Sequence, residues 1–375
     1  MKLIYLSNSR QPTEKAHGWQ IAKMCEQFAG LGLEVALVFP VRKNPIKENL
    51  FTYYNLKPNF KLRPIKLPDF IALEKYIGPV GFYLQSFAFF SKLLFLKIDK
   101  NAVIYSRQPE LVWLFNLKGY LTVYEAHRWP GRFAGLLKFL LDRKNIIVAN
   151  SIGTAGQFLK NGYKNVLTAP NGVDLSSFEI NSSLLQLRQE LNLPLGKKIV
   201  MYLGHLYGWK GIATLLKAAE ELKDNQEILF VIVGGTDRDL NFFQRQVQLP
   251  NILFVGYKDK KDVPKWLKSA DLLLLTLNQE DEQAKFYTSP MKLFEYLAAK
   301  VPVVVPALPS IKNLVSEKEV VFYQADSAVD LVQKIRQSLH DDLNEKIIQG
   351  GELVKKHTWQ ARAAKIYEYF KNYVK

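Results

Sequence analysis

Tyr287-Thr-Ser-Pro-Met-Lys-Leu-Phe-Glu-Tyr-Leu-Ala-Ala-Lys-Val-Pro-Val-Val-Val305 reads as a helix that feeds a buried strand. Ser289 is expected to cap the helix, with Pro290 as its first residue. Proline suits that position because its φ is preset and its missing N–H had no intrahelical partner. The next amides, on Met291 and Lys292, then point out of the helix start, where the dipole favours an anion. Glu295 lies on the face of Met291 and Lys292. Pro302 sits just before the apolar run Val303–Val305, where no ladder amide is needed.

The same alternation runs outward in both directions. Strands are expected at Lys2–Ser7, Glu34–Phe39, Ala102–Tyr105, Leu121–Glu125, Ile146–Ala149 and Val166–Ala169, and again at Lys198–Leu203, Ile228–Val233, Ile252–Phe254, Leu272–Thr276 and Val303–Val305. Helical patterns such as Trp19–Leu31, Gly81–Leu96, Ile212–Leu222 and Ala328–Ser338 separate them. Apolar runs alternating with amphipathic segments are the mark of βα units and parallel sheets. The pattern continues too long for one compact sheet. It therefore predicts an α/β protein of two Rossmann-like, doubly wound domains, residues 1–175 and 176–355. The link is expected near Asn171–Pro194, which is rich in Ser and Asn.

Composition narrows the setting. Among 375 residues there is one cysteine, so no disulfide can form within the chain and a reducing cytoplasm fits. Met1–Pro12 holds only the short apolar run Leu3–Leu6, which reads as a first strand rather than a signal peptide. Residues 1–175 carry 24 Lys and Arg against 11 Asp and Glu, whereas residues 176–375 carry 27 against 24. A basic first half suggests an acidic partner such as an anionic membrane surface or a lipid phosphate. No nucleic-acid module is visible, and no specific nucleic acid is expected. Tyr76–Ser91 has no charged residue and many aromatics. It is too short and too broken by Gly78, Pro79 and Gly81 to span a bilayer. Two readings stand: a core helix, or a helix at a membrane interface with Lys92 and Lys97 near anionic headgroups. Gly131–Lys144 has a similar basic, amphipathic character.

Tyr202-Leu-Gly-His-Leu-Tyr-Gly-Trp-Lys-Gly211 follows a strand and opens a helix. Gly204 and Gly208 allow a tight turn with close backbone approach. His205 and Lys210 bracket that turn, and both could donate to phosphate oxygens. There is no His/Cys cluster with ligand spacing, so neither a metal nor a cofactor is expected.

Four landmarks occur in order along almost the whole chain. They are Thr13-Glu-Lys-Ala-His-Gly-Trp-Gln20, Tyr124-Glu-Ala-His127, Pro170-Asn-Gly-Val-Asp-Leu-Ser-Ser-Phe178, and the Gly204–Gly211 loop paired with the Ser289–Glu295 helix. Together they resemble the family-4 retaining glycosyltransferases. The resemblance implies the GT-B arrangement, with an interdomain cleft and a final helix, 356–375, returning to the first domain. It implies a nucleoside-diphosphate sugar as donor, UDP- or GDP-linked, and a glycan or lipid-linked acceptor, in surface polysaccharide or glycolipid synthesis at the inner face of the membrane. Glu295 would bind the ribose, and Lys210 with His205 would neutralise the leaving diphosphate. Met291 and Lys292 would add amides, Gly18 would let its loop approach the donor, and His127 would meet the donor sugar near the reacting carbon. The family has arginine where this chain has His205. Its first glutamate is replaced by Tyr287, and the nearby run Glu280-Asp-Glu282 is either a substitute or a solvated loop. Competing functions are a nucleotide-sugar epimerase or hydrolase on the same scaffold, or a basic nucleic-acid-binding protein.

Overall fold

The computed structural model describes residues 1–374, folded as two compact units. The first comprises Met1–Asn150, Thr154–Ala169 and the chain from Trp359 onward; the second comprises Ser151–Gly153 and Pro170–Thr358.

The first unit is built on seven strands: β1 (Lys2–Leu6), β2 (Glu34–Pro40), β3 (Lys61–Ile65), β4 (Val103–Ser106), β5 (Thr122–Ala126), β6 (Ile146–Ala149) and β7 (Val166–Thr168). Their order is β3-β2-β1-β4-β5-β6-β7, with every pairing parallel. The second unit has β8 (Lys198–Leu203), β9 (Ile228–Val233), β10 (Ile252–Gly256), β11 (Leu272–Leu274), β12 (Val303–Pro306) and β13 (Val321–Tyr323). Their order is β10-β9-β8-β11-β12-β13, again all parallel. β4, β6, β9 and β12 are buried along their whole length, which is why they read as unbroken apolar runs. Strand order reverses direction between β1 and β4 in one sheet and between β8 and β11 in the other. Ligands of such sheets bind beyond the strand ends at these switch points.

β3 and β13 were not expected, and both are edge strands. β3 carries Lys61, Arg63 and Pro64 and is largely exposed, so its sequence lacks the pattern of a buried strand. An edge tolerates that proline and those charges. β13 is only three residues long.

The chain leaves the first unit after Ala169, and the expected link at 171–194 is packed into the second unit. The Asn171 amide donates to Ser289 Oγ at 3.0 Å, and its side chain donates to the Ser289 carbonyl at 2.6 Å. Ser183 and Gln186 then form a reciprocal capping box for the helix Leu184–Glu190. At the far end, the helix Trp359–Lys371 lies on the helix Ala16–Gly30 of the first unit. Trp359 meets Trp19 edge-on at 5.5 Å, and Phe370 meets Phe28 at 6.3 Å. Trp359, Ile366 and Phe370 are all buried. At about 1.5–3 kcal/mol for each large apolar side chain, this helix is part of the first unit's core.

The aromatic segment satisfies the core-helix reading on one row only. The helix Val80–Leu94 buries Gly81, Gln85, Phe89 and Leu93, spaced four apart. Its other side leaves Tyr83 69% and Phe87 70% exposed. Phe90 stacks on Trp113 at 6.4 Å, and Trp113 meets Phe139 at 6.2 Å, joining this helix to Pro109–Leu117 and Ala134–Leu140. Among the described residues no helix is long and apolar enough to cross a membrane.

Candidate active site

The loop after β8 lies at the second unit's switch point. Gly204 (φ 158) turns the chain, a short turn follows at Gly208–Lys210, and Gly211 (φ 70) opens the helix Ile212–Glu221. The Thr276 hydroxyl, just past β11, donates to the Lys210 carbonyl at 2.7 Å. A Cβ at Gly211 would stand 2.8 Å from the Leu277 amide nitrogen, so only glycine lets the loop rest against the end of β11. Lys210 thereby leans over the Trp209 ring, 3.7 Å from its centroid. Burial lowers its pKa to about 8, against the opposing pull of Asp281. His205 stacks on Tyr207 at 5.0 Å. Burial first, then Lys292 and Lys210, lower its pKa, so it is neutral at pH 7.

The helix Met291–Ala299 starts one residue later than expected. Pro290 is its flanking residue, with extended ψ of 119°, and no side chain caps it. Ser289 stands one residue outside the capping position, and its hydroxyl accepts from the Asn171 amide instead. The anion-binding geometry survives the correction. Leu293 makes the first closing bond, to the Pro290 carbonyl at 3.1 Å, so the Met291 and Lys292 amides precede it. The helix is aimed by Tyr296, whose hydroxyl accepts from the Leu203 amide at 2.9 Å at the end of β8. Lys210 and Lys292 both act on His205, and Lys210 acts on Lys292, so the three lie within electrostatic reach.

Glu295 is buried and forms an ion pair with Lys260. Nothing in the sequence reading singled out Lys260, which lies between β10 and the helix Val263–Lys268. Asp281, within the acidic run, accepts from the Ala284 amide at 2.8 Å and so caps the turn Gln283–Tyr287. Tyr287 ends that turn, and its carbonyl accepts from Ser151 Oγ at 3.0 Å. Among the described residues no three His, Cys, Asp or Glu side chains are grouped to hold a metal ion.

The first unit gathers its charges differently. Glu125, on β5, is fully buried. One of its oxygens accepts from Arg107 at 3.1 Å, from Arg362 at 2.7 Å and from His127 Nε2 at 3.0 Å; the other accepts from the Tyr5 hydroxyl at 3.1 Å. Burial alone would raise the carboxyl's pKa, but the two guanidiniums hold it well below the usual range. Burial, then Arg107, lowers His127 to about 4. The histidine is therefore neutral at pH 7 and donates its Nε2 hydrogen to Glu125, which fixes tautomer and ring orientation. Arg107 also reaches Gln20 at 3.1 Å. Gly18 lies in the first turn of the helix Ala16–Gly30. A Cβ there would meet the Thr13 methyl at 2.3 Å and the Tyr54 hydroxyl at 2.5 Å, so the close approach it permits is that of its own loop. The sequence reading passed over Glu125, Arg107 and Arg362. The available signal was Glu125 itself, a carboxylate two residues before His127 in a strand and hence on the same face.

Comparison with known proteins bears on the second unit. Residues 185–354 match the family model described as glycosyl transferases group 1. These residues are thus similar to the group 1 glycosyltransferases. TuaH of Bacillus subtilis (strain 168), named as a teichuronic acid biosynthesis glycosyltransferase, is 30% identical over 179 residues, 46% of this chain and 42% of TuaH. TuaC of the same organism, named likewise, is 25% identical over 243 residues, 64% of this chain and 59% of TuaC. The chain thus spans about half the length of these curated relatives. Among solved structures, Anabaena HepE in complex with UDP and glucose has a TM-score of 0.72 at 16% identity, covering 99% of both chains. That likeness shows the fold: the chain is GT-B, with both parallel sheets represented. The matched segment contains Lys210, His205, Lys260, Met291, Lys292 and Glu295.

Proposed function

We propose that the protein transfers a sugar, with retention at its anomeric carbon, from a nucleoside-diphosphate sugar to a glycan or lipid-linked acceptor. One observation carries this reading. Within the matched segment, Lys210 and the helix start at Met291–Lys292 converge at the β8–β11 switch point, beside Glu295. A departing diphosphate develops negative charge, and fixed cations and amides stabilise it without reorganising. Glu295 accepts from two adjacent ribose hydroxyls once Lys260 gives way. A UDP-linked donor is supported by the HepE complex with UDP, and a surface polysaccharide product by the names of TuaH and TuaC. His127, held neutral and oriented by Glu125, is assigned to the donor sugar. His205 brings a hydrogen bond to the phosphates rather than a charge. Gly18 acts through the shape of its loop. Asp281 is committed to capping, so no contact to the sugar is assigned to the Glu280–Glu282 run.

The acceptor side of this reading includes an anionic membrane. Tyr83 and Phe87 are exposed on the helix whose Phe90 stacks on Trp113, and Trp113 meets Phe139; Lys92 and Lys138 are exposed on the same two outer helices. Aromatic side chains with a basic rim suit an anionic interface.

The test is a panel of UDP-, GDP- and ADP-sugars read by thermal stabilisation and by product analysis. A donor at 1,000 times its Kd adds about 4 kcal/mol to stability. The expected result is a rise in Tm with one nucleotide class and transfer only when acceptor is present. Quantitative hydrolysis or epimerisation of the donor alone would favour the epimerase or hydrolase reading instead.

A further inference from the structure

The Lys292 side chain is a feature that amide binding at the helix start leaves unexplained. Its ammonium is buried with no hydrogen-bond partner. It occupies the space that a side chain at position 204 would need, since a Cβ on Gly204 would stand 1.1 Å from Nζ. Any other residue at 204 would expel it. Nζ lies 5.0 Å from the centre of the Tyr202 ring. Glu295, three residues along the same helix, gives its carboxylate to Lys260. Burial, then Lys210, holds the Lys292 pKa well below 10.5, with Glu295 opposing and Lys260 adding to the fall.

A buried ammonium with no acceptor is costly, and a methionine of similar length would fill the same space without that cost. The arrangement makes physical sense when an anion completes it. A diphosphate brings at least two charges. The neutral His205 offsets none of them, and Lys210 offsets one. We infer that the Lys292 ammonium is a second cationic ligand of the donor's diphosphate, seated in the space left by Gly204. The inference rests on the glycosyltransferase reading above and names a side chain where that reading used only an amide. It carries a consequence: Lys210 titrates near 8, so at that pH diphosphate binding draws protons from solvent.

Isothermal titration of the full chain with UDP and GDP, and with uridine and guanosine, tests this. Wild type is compared with Lys292→Met at pH 8 in two buffers of different ionisation enthalpy. The expected result is a loss of about 10- to 100-fold for the diphosphate, from the removal of a charged hydrogen bond. Nucleoside affinity should stay unchanged, and proton uptake on binding should fall. Equal diphosphate affinity in the two proteins, or equal losses for nucleoside and diphosphate, overturns the role of Lys292 and leaves the donor reading standing. Failure of wild type to bind either diphosphate overturns the donor reading itself. A lower Tm for Lys292→Met would show that the ammonium is structural, and would also overturn the inference.

Discussion

Glu125 and Lys292 are both charged side chains placed out of reach of water, one in each unit. Glu125 receives two guanidiniums, an imidazole and a phenol. Lys292 receives nothing, and its strongest charged neighbour is another lysine. The first cluster is closed: two guanidiniums, an imidazole and a phenol converge on one carboxylate, and it ties β1, β5, the residue after β4 and the helix Trp359–Lys371 together. The second is open, and like charges are kept together by the fold despite their repulsion. Buried charge that is fully answered within the protein serves structure. Buried charge left unanswered, at a switch point beside a helix start, serves a ligand.

Substitutions should act in opposite directions on the two clusters. The largest effect is expected from Lys210→Ala, which should lower kcat about 100- to 1,000-fold, as loss of a transition-state donor does, with a Tm no lower than wild type. Steady-state kinetics with the donor found in the nucleotide panel checks this, and near-normal turnover would break the assignment. Arg362→Met should do the reverse to stability. Removing one partner of a buried pair costs about 3–5 kcal/mol, here toward the lower end because Arg107 remains with Glu125. Denaturant unfolding measures that loss, and a midpoint unchanged from wild type would mean that the closed cluster is not structural.

Acid and alkali should separate the clusters as well. His17 and His127 both have folded pKa values lowered to about 4 from 6.5. Unfolding therefore takes up protons, and the first unit should lose stability as pH falls from about 6.5 to 4, readable as a declining Tm. Burial brings the Lys210 pKa down to about 8. A bound diphosphate raises that value, so the Lys210 contribution to nucleoside-diphosphate affinity should be steady below about pH 8 and weaken above it, by up to about tenfold per pH unit. Affinity that is constant from pH 7 to 9.5 would contradict the open-cluster picture. The smallest effect is expected at the surface. Phe87→Ser with Phe139→Ser should reduce co-sedimentation with anionic vesicles several-fold and leave binding of the nucleotide unchanged. Wild-type sedimentation would remove the membrane from the reading.

The sequence carried most of the fold because eleven of the thirteen strands show as short, mainly apolar runs, with Glu125 in β5 the one charge inside such a run. Its omissions were two edge strands, β3, which carries charges and a proline, and β13, which is only partly buried. At the site, glycines and a helix start flagged Lys210, His205, Met291, Lys292 and Glu295, because local backbone geometry gives them away. Charge pairing did not show in the same manner. Arg107 and Arg362 lie 18 and 237 residues from Glu125 along the chain, and only the folded topology brings them together. The Ser289 cap did not form: Ser289 stands one residue outside the capping position, and its hydroxyl accepts from a distant amide, Asn171, instead.

The return of the helix Trp359–Lys371 to the first unit has a consequence for synthesis. The first unit's own strands end at Thr168, yet Arg362, Trp359 and Phe370 emerge only after the whole second unit has been made. At roughly 5–20 residues per second on the ribosome, that is a delay on the order of 10–40 s. For that interval the nascent first unit holds Glu125 with one of its two guanidiniums missing and an uncovered apolar face along Trp19 and Phe28. The half of the chain that is translated first is thus the half that finishes folding last, and until then it is a natural client for chaperones.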